Sequence, residues 1–227
     1  MTLPQATQRG VGAYYDPLFS RVVLLLQNVG SGASIVDHSN SAFSITKKGT
    51  VSQVTSGAAF GMPGYGFPST PGGVVHNIVT GYSSALSFLA AGPWAMECRF
   101  NVVALPEVYG GGPAIPAGSY LMSLMGTTRG WNSTTGMHAA LLLTSGGKLQ
   151  FWWYTGGTSK TSAEHSATIA LNQDHYVRLS HDGAGTLTFE VNGVSSTHAC
   201  SPVSPGNAPR FVSGDANEVT ADAGYYM

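Results

Sequence analysis

Eleven acidic residues supply every side-chain carboxylate in this chain, and their placement does not build a hydrolytic pair. Glycoside hydrolysis needs two carboxylates roughly 5 to 10 Å apart, one acting as acid and the other as nucleophile or base. Glu97 and Glu190 fall on solvent-facing positions of predicted strands, but each has an arginine available on that face; Asp215 and Glu218 of "DANE" fall in a loop. Seven histidines, at 38, 76, 138, 165, 175, 181 and 198, are scattered, with no His-Glu-x-x-His and no Cys-x-x-Cys, so no zinc site is indicated. Neither Gly-x-Ser-x-Gly nor Gly-x-x-x-x-Gly-Lys occurs, which removes the common serine-hydrolase and nucleotide motifs. The chain is expected not to be an enzyme.

Recognition chemistry is better represented. "KLQFWWYTGG", Lys148 to Gly157, puts four aromatic side chains in a row before a glycine turn. Saccharides offer C–H faces to aromatic rings and hydroxyls to amides, so a weakly charged surface bearing Trp, Tyr, Gln and Asn suits them. The candidates are Gln150, Trp152 and Tyr154 in that run, with Trp131, Asn132 and Tyr109 in two long loops.

Strand parity decides which aromatics can reach a ligand, because alternate residues point to opposite faces. It sends Leu149, Phe151 and Trp153 to the core and leaves Gln150, Trp152 and Tyr154 on the other face. In the neighbouring runs, Met96, Cys98, Phe100, Val177, Leu179, Leu187, Phe189 and Val191 go inward, while Glu97, Arg99, Tyr176, Arg178 and Glu190 go outward. Trp152 is thereby expected to share a face with Arg178 and Glu190, packing over the stems of their cross-strand ion pair or under a loop.

The elements around these residues read as all-β. Short alternating runs recur between Gly, Pro, Asn and Ser clusters, and no sustained helical stripe is present. Nine strands are predicted: Val22 to Gln27, Ser44 to Thr46, Val74 to Val79, Ala95 to Val102, Tyr120 to Met125, Met137 to Thr144, Lys148 to Tyr154, His175 to Asp182 and Gly185 to Asn192. That pattern predicts a two-sheet antiparallel sandwich in one domain, residues 18–227, preceded by an arm or linker at residues 1–17. Ala104 to Gly118 and Gly126 to Gly136 are predicted as long surface loops.

Charged residues make up 9 % of the chain, against roughly 25 % in typical soluble domains. A net charge of -1 and a single adjacent basic pair, Lys47-Lys48, leave no footprint for a phosphate backbone, so nucleic acid is not an expected partner. So few charges give weak protection against association, which favours life in an oligomer or assembly. The strongest apolar run, Val22 to Leu26, is too short to cross a bilayer, so neither membrane insertion nor an export signal is expected. Asn132-Ser-Thr134 is accordingly read as a chance glycosylation triplet, and Cys98 and Cys200 as free thiols.

Several segments together resemble the concanavalin A-like lectin/glucanase sandwich, specifically the laminin-G-like modules of bacteriophage virion and tail proteins. They are "DPLFSRVVLLLQNVGSG", "DHSNSAFSITKKGTV", "WAMECRFNV", "GGKLQFWWYTGG" and the run from Ala167 to Val194 that ends in "VNGV". The resemblance implies a jelly-roll sandwich and a place in the virion, assembled in the host cytoplasm. The implied partners are other virion proteins, a second copy of the chain, or a host-surface glycan. The Glu-x-Asp-x-x-Glu pattern of the family's retaining glucanases is absent, which leaves glycoside hydrolase or soluble lectin as the alternative reading. Calcium-binding relatives single out Asp182 of "HDGAG" as a cation ligand, although an Asp-Gly turn is the commoner use of that pair. The family's last strand is missing or incomplete at "AGYYM", and the all-apolar "VVLLL" is expected to be a strand covered on both faces.

Overall fold

The computed structural model describes residues 21–26, 35–54, 64–67, 76–106, 118–126, 137–157, 159–214 and 225–226. They hold strands β1 (Ile45–Lys48), β2 (Ser52–Val54), β3 (Gly64–Phe67), β4 (Asn77–Thr80), β5 (Trp94–Val102), β6 (Gly118–Met125) and β7 (Met137–Thr144). The second half adds β8 (Lys148–Gly156), β9 (Ser159–Thr168), β10 (Asp174–His181), β11 (Thr186–Val191), β12 (Val194–Ala199), β13 (Arg210–Gly214) and β14 (Tyr225–Tyr226). Two seven-stranded sheets result, ordered β1-β4-β13-β6-β7-β8-β9 and β12-β11-β10-β5-β14-β3-β2, with antiparallel pairing between neighbours. The fold is an all-β antiparallel sandwich of jelly-roll type, as the alternation predicts. β14, two residues long, lies in an inner position between β5 and β3.

The core between the sheets is built from the inward parity of each strand. Phe100 of β5, Leu141 of β7, Phe151 of β8, Leu179 of β10 and Phe189 of β11 are all completely buried within it. Burying one such side chain contributes about 1.5–3 kcal/mol. β7 is buried on its second face too. Ala140 and Leu142 join Val79, Met125, Met137 and Val212 in a separate cluster on the outer side of the first sheet, and Trp152 packs against it. This explains the unbroken apolar run "AALLL", Ala139 to Leu143, within β7, where both faces of the strand are buried.

The strand expected at Val22 to Gln27 does not form within the described residues. Its one ladder contact is an isolated bridge between Leu26 and Asp37. Asp37 intervenes: its buried carboxylate accepts the Leu25 N–H, and the Leu25 carbonyl accepts from His38 N–H, so the segment is tied to a loop rather than to a sheet strand. Val23, Leu24 and Leu26 still pack, half-buried, against the core.

Three buried histidines act as clamps. Nδ1 of His165 accepts the Ala167 N–H while Nε2 donates to the Val194 carbonyl; His181 repeats the arrangement with Gly183 and Cys200. His175 spans the Ala170 carbonyl and the Asn192 amide. A second ring proton would remove the Nδ1 acceptor of His165. Burial holds the pKa of His165 below its ordinary value, outweighing the opposing bond to Val194, with His198 and Lys148 adding to the depression; burial likewise lowers His138 against its bond to Asn207. The unfolded chain therefore binds protons first as pH falls. The stability is complete above about pH 6.5 and is lost as pH drops through that value toward the depressed folded-state values. Melting temperature should fall between pH 8 and pH 5, and His165→Gln should flatten the fall; an unchanged slope in that variant would contradict the assignment.

Candidate functional site

The polar end of the first sheet's outer face is formed by β8 and β9. Register places Gln150 opposite Glu164, Trp152 opposite Ser162 and Tyr154 opposite Lys160. Nε1 of Trp152 donates to Oε1 of Gln150 at 3.0 Å, and Nε2 of Gln150 donates to Oε2 of Glu164 at 2.7 Å. This chain fixes both the plane of the indole and the orientation of the amide. Trp152 is half-buried, because one part of its ring rests on the Ala140–Leu142 cluster. Glu164 is exposed and offers its remaining acceptor capacity to solvent. An aromatic surface beside an ordered amide and a carboxylate can stack on a sugar ring and accept from its hydroxyls.

Tyr154 differs from expectation. It shares the parity of Trp152, but only 5 % of it is exposed. Its hydroxyl donates to the Gly157 carbonyl, and its own carbonyl accepts the Val203 N–H from the segment before β13. That segment also places Asn207 against His138 at the end of β7. Lys160, across from Tyr154, has its pKa lowered by burial.

Arg178 and Glu190 are not neighbours of Trp152. They belong to β10 and β11 in the second sheet, so their outward face is on the other side of the sandwich. Parity separates inside from outside, but it does not say which sheet a strand joins. The partner of Arg178 also differs: its Nε lies 3.2 Å from Oε1 of Glu97 on β5, while Glu190 stands opposite it in register on β11. Tyr176 completes this polar face, with its phenol pKa raised to about 12, first by burial and then by the charge and hydrogen bond of Glu97. Glu97 and Glu190 are two ladder steps apart, about 9.6 Å by strand spacing. Arg178 occupies the position between them, where a scissile bond would have to lie.

Asp182 closes a turn. Its Oδ1 accepts from the Ala184 N–H at 2.7 Å and the Thr186 N–H at 2.9 Å, and those bonds lower its pKa. Among the described residues, no group of three His, Cys, Asp or Glu side chains converges as a metal site. Cys98 and Cys200 are free, and burial raises both thiol pKa values, that of Cys200 to about 12. Trp131, Asn132, Tyr109, Asp215 and Glu218 lie outside the described residues.

Glu164 is the site residue that the strand assignment misses, because β9 was not among the predicted strands. A signal is present: Ala163, His165 and Ala167 alternate with exposed Ser162, Glu164 and Ser166. It is faint because an edge strand with few apolar residues resembles a loop in composition.

No family model matches the sequence, and no curated protein does. Solved structures with the same fold do exist. The botulinum neurotoxin serotype G binding domain superposes with a TM-score of 0.62 at 10% identity, over 90% of this chain and 46% of that one. The binding domain of botulinum neurotoxin DC in complex with rat synaptotagmin II gives 0.62 at 13%, over 90% and 47%. The binding domain of Paraclostridial Mosquitocidal Protein 1 gives 0.62 at 14%, over 90% and 48%. The chain spans about half the length of these domains. At such identities the likeness establishes the sandwich fold, and the three structures named are binding domains.

Proposed function

We propose that this chain is a non-enzymatic binding module of the concanavalin A-like, laminin-G-like type, and that it contacts a saccharide through Trp152, Gln150 and Glu164. The observation that carries the reading is the indole–amide–carboxylate chain, an ordered and half-open aromatic site on a surface with few charges. The neighbours support a binding role; one of them, the botulinum neurotoxin DC domain, is also known in complex with SialylT. The sequence resemblance favours a phage-type virion component, for attachment or tail structure, with other virion proteins as its partners. Trp131, Asn132 and Tyr109 would extend the site from the loops, and calcium at Asp182 would be a further element of the same reading.

Glycan-array binding by wild type, Trp152→Ala and Gln150→Ala tests the site. The expected result is a loss of at least tenfold for Trp152→Ala and a smaller loss for Gln150→Ala, with circular dichroism confirming that both are folded. Undiminished binding by both variants, or no glycan bound by wild type, would overturn the reading.

A further inference from the structure

Among the described residues the two sheets end in four lateral edges, β1, β9, β12 and β2, and these are protected unequally. β1 ends in exposed Lys47 and Lys48, β2 is three residues long, and β9 carries Lys160 and Glu164 and two register shifts against β8. Charge, shortness and bulges are the devices that keep a strand edge from pairing with another chain. β12, "VSSTHA", has none of them: it is six residues long, uncharged, free of proline and in unbroken register with β11.

The turn before β12 defines which of its backbone groups are open. Asn192 and Gly193 both have positive φ, 52° and 83°, the signature of a two-residue I′ hairpin closed by Val191 and Val194. The closing pair exchanges both of its backbone bonds, and the pattern alternates along an antiparallel ladder. Val194, Ser196 and His198 thus bond to β11, a phase confirmed by Cys200 N–H donating to the Gly185 carbonyl. Ser195, Thr197 and Ala199 direct their N–H and C=O groups away from the sheet, and all three residues are exposed.

We propose that β12 is a self-association edge, and that its occupant is β12 of a second copy of this chain in antiparallel register. A two-fold axis at Thr197 pairs Thr197 with the same residue of the second copy and Ser195 with its Ala199, so every outward group of these residues finds a partner. The second copy is the occupant because the edge is complementary to itself under this rotation, with no charge to repel its image, and because a net charge of -1 adds little long-range repulsion. The two second sheets join into one continuous sheet across the axis. This interface lies on the second sheet and goes beyond the saccharide reading, which concerns the outer face of the first.

Sedimentation of the full chain at tens of micromolar tests the edge. Wild type is expected to be a dimer, with Thr197→Lys and Thr197→Pro raising the dissociation constant at least a hundredfold while each variant keeps a cooperative unfolding transition and lowers the melting temperature only by the lost association. Proline removes an outward N–H that β11 does not use, and lysine sets like charges face to face at the axis. If the proline variant unfolds, the lysine variant decides. Thr197→Cys should crosslink on mild oxidation, since facing residues of a bonded pair have Cα atoms about 5.5 Å apart, within disulfide reach. Thr188→Cys, one strand inward, should not. A monomeric wild type, a dimer that survives both Thr197 substitutions, or equal crosslinking at 188 and 197 would overturn the proposal.

Discussion

Alanine at position 214 is expected to cost about 4 kcal/mol or more, lowering the melting temperature by roughly 10 °C or more. Gly214 ends β13 at a register shift against β6, with φ at +97°. Two penalties combine there. The left-handed backbone disfavours any L side chain, and a Cβ would fall 2.2 Å from the His76 carbonyl oxygen and 3.0 Å from Asn77 Cα, both backbone atoms at the start of the neighbouring strand β4. Neither neighbour can swing aside as a flexible side chain could, because Asn77 is held in ladder register on β4. Gly193 provides the contrast: its φ is also positive, but no atom lies within 4 Å of an added Cβ, so alanine there should cost only the backbone term. Urea denaturation of the two variants separates the effects, and similar midpoints for both would contradict the steric account.

Asp37→Ala should be the next most damaging change, at about 3 kcal/mol. The buried carboxylate gathers Leu25 N–H and Ser39 N–H on Oδ1, and Phe43 N–H with the Ser39 hydroxyl on Oδ2. Removing it strands three backbone donors, and each unsatisfied buried donor costs about 1–3 kcal/mol before water relieves part of the penalty. Asp37→Asn should be intermediate, since its NH2 group would face donors where the carboxylate presented an acceptor. The change should appear as a lower urea midpoint at unchanged slope. A cost below about 1 kcal/mol for the alanine variant would mean that the carboxylate does not organise the loop.

The same residue shows where sequence patterning fails. Val22 to Leu26 has the composition of a buried strand, yet a single carboxylate twelve residues later claims its backbone; that competition is tertiary and leaves no periodic trace. Parity, by contrast, placed the inward residues of β5, β8, β10 and β11 correctly, because alternation is a property of the strand alone. The edge strands β9 and β12 were not legible in the same way, since most of their outward positions are polar, with Lys160, Ser162, Glu164 and Ser166 on β9 and Ser195 and Thr197 on β12, and a sheet edge needs little apolar area. The consequence for the site is direct: Trp152 and Gln150 could be read from their own strand, but Glu164 arrives only with β9. Arg178 and Glu190 could be put in the wrong company because nothing local to a strand states its sheet.

Titration of isotope-labelled protein with a glycan selected on the array, followed through the indole N–H signals of the four tryptophans, tests the central claim most directly. The Trp152 resonance should move furthest, because its Nε1–H bond to Gln150 forms part of the binding surface. A stationary Trp152 signal, with shifts instead at Tyr176, Arg178 and Thr188 on the opposite sheet, would contradict it.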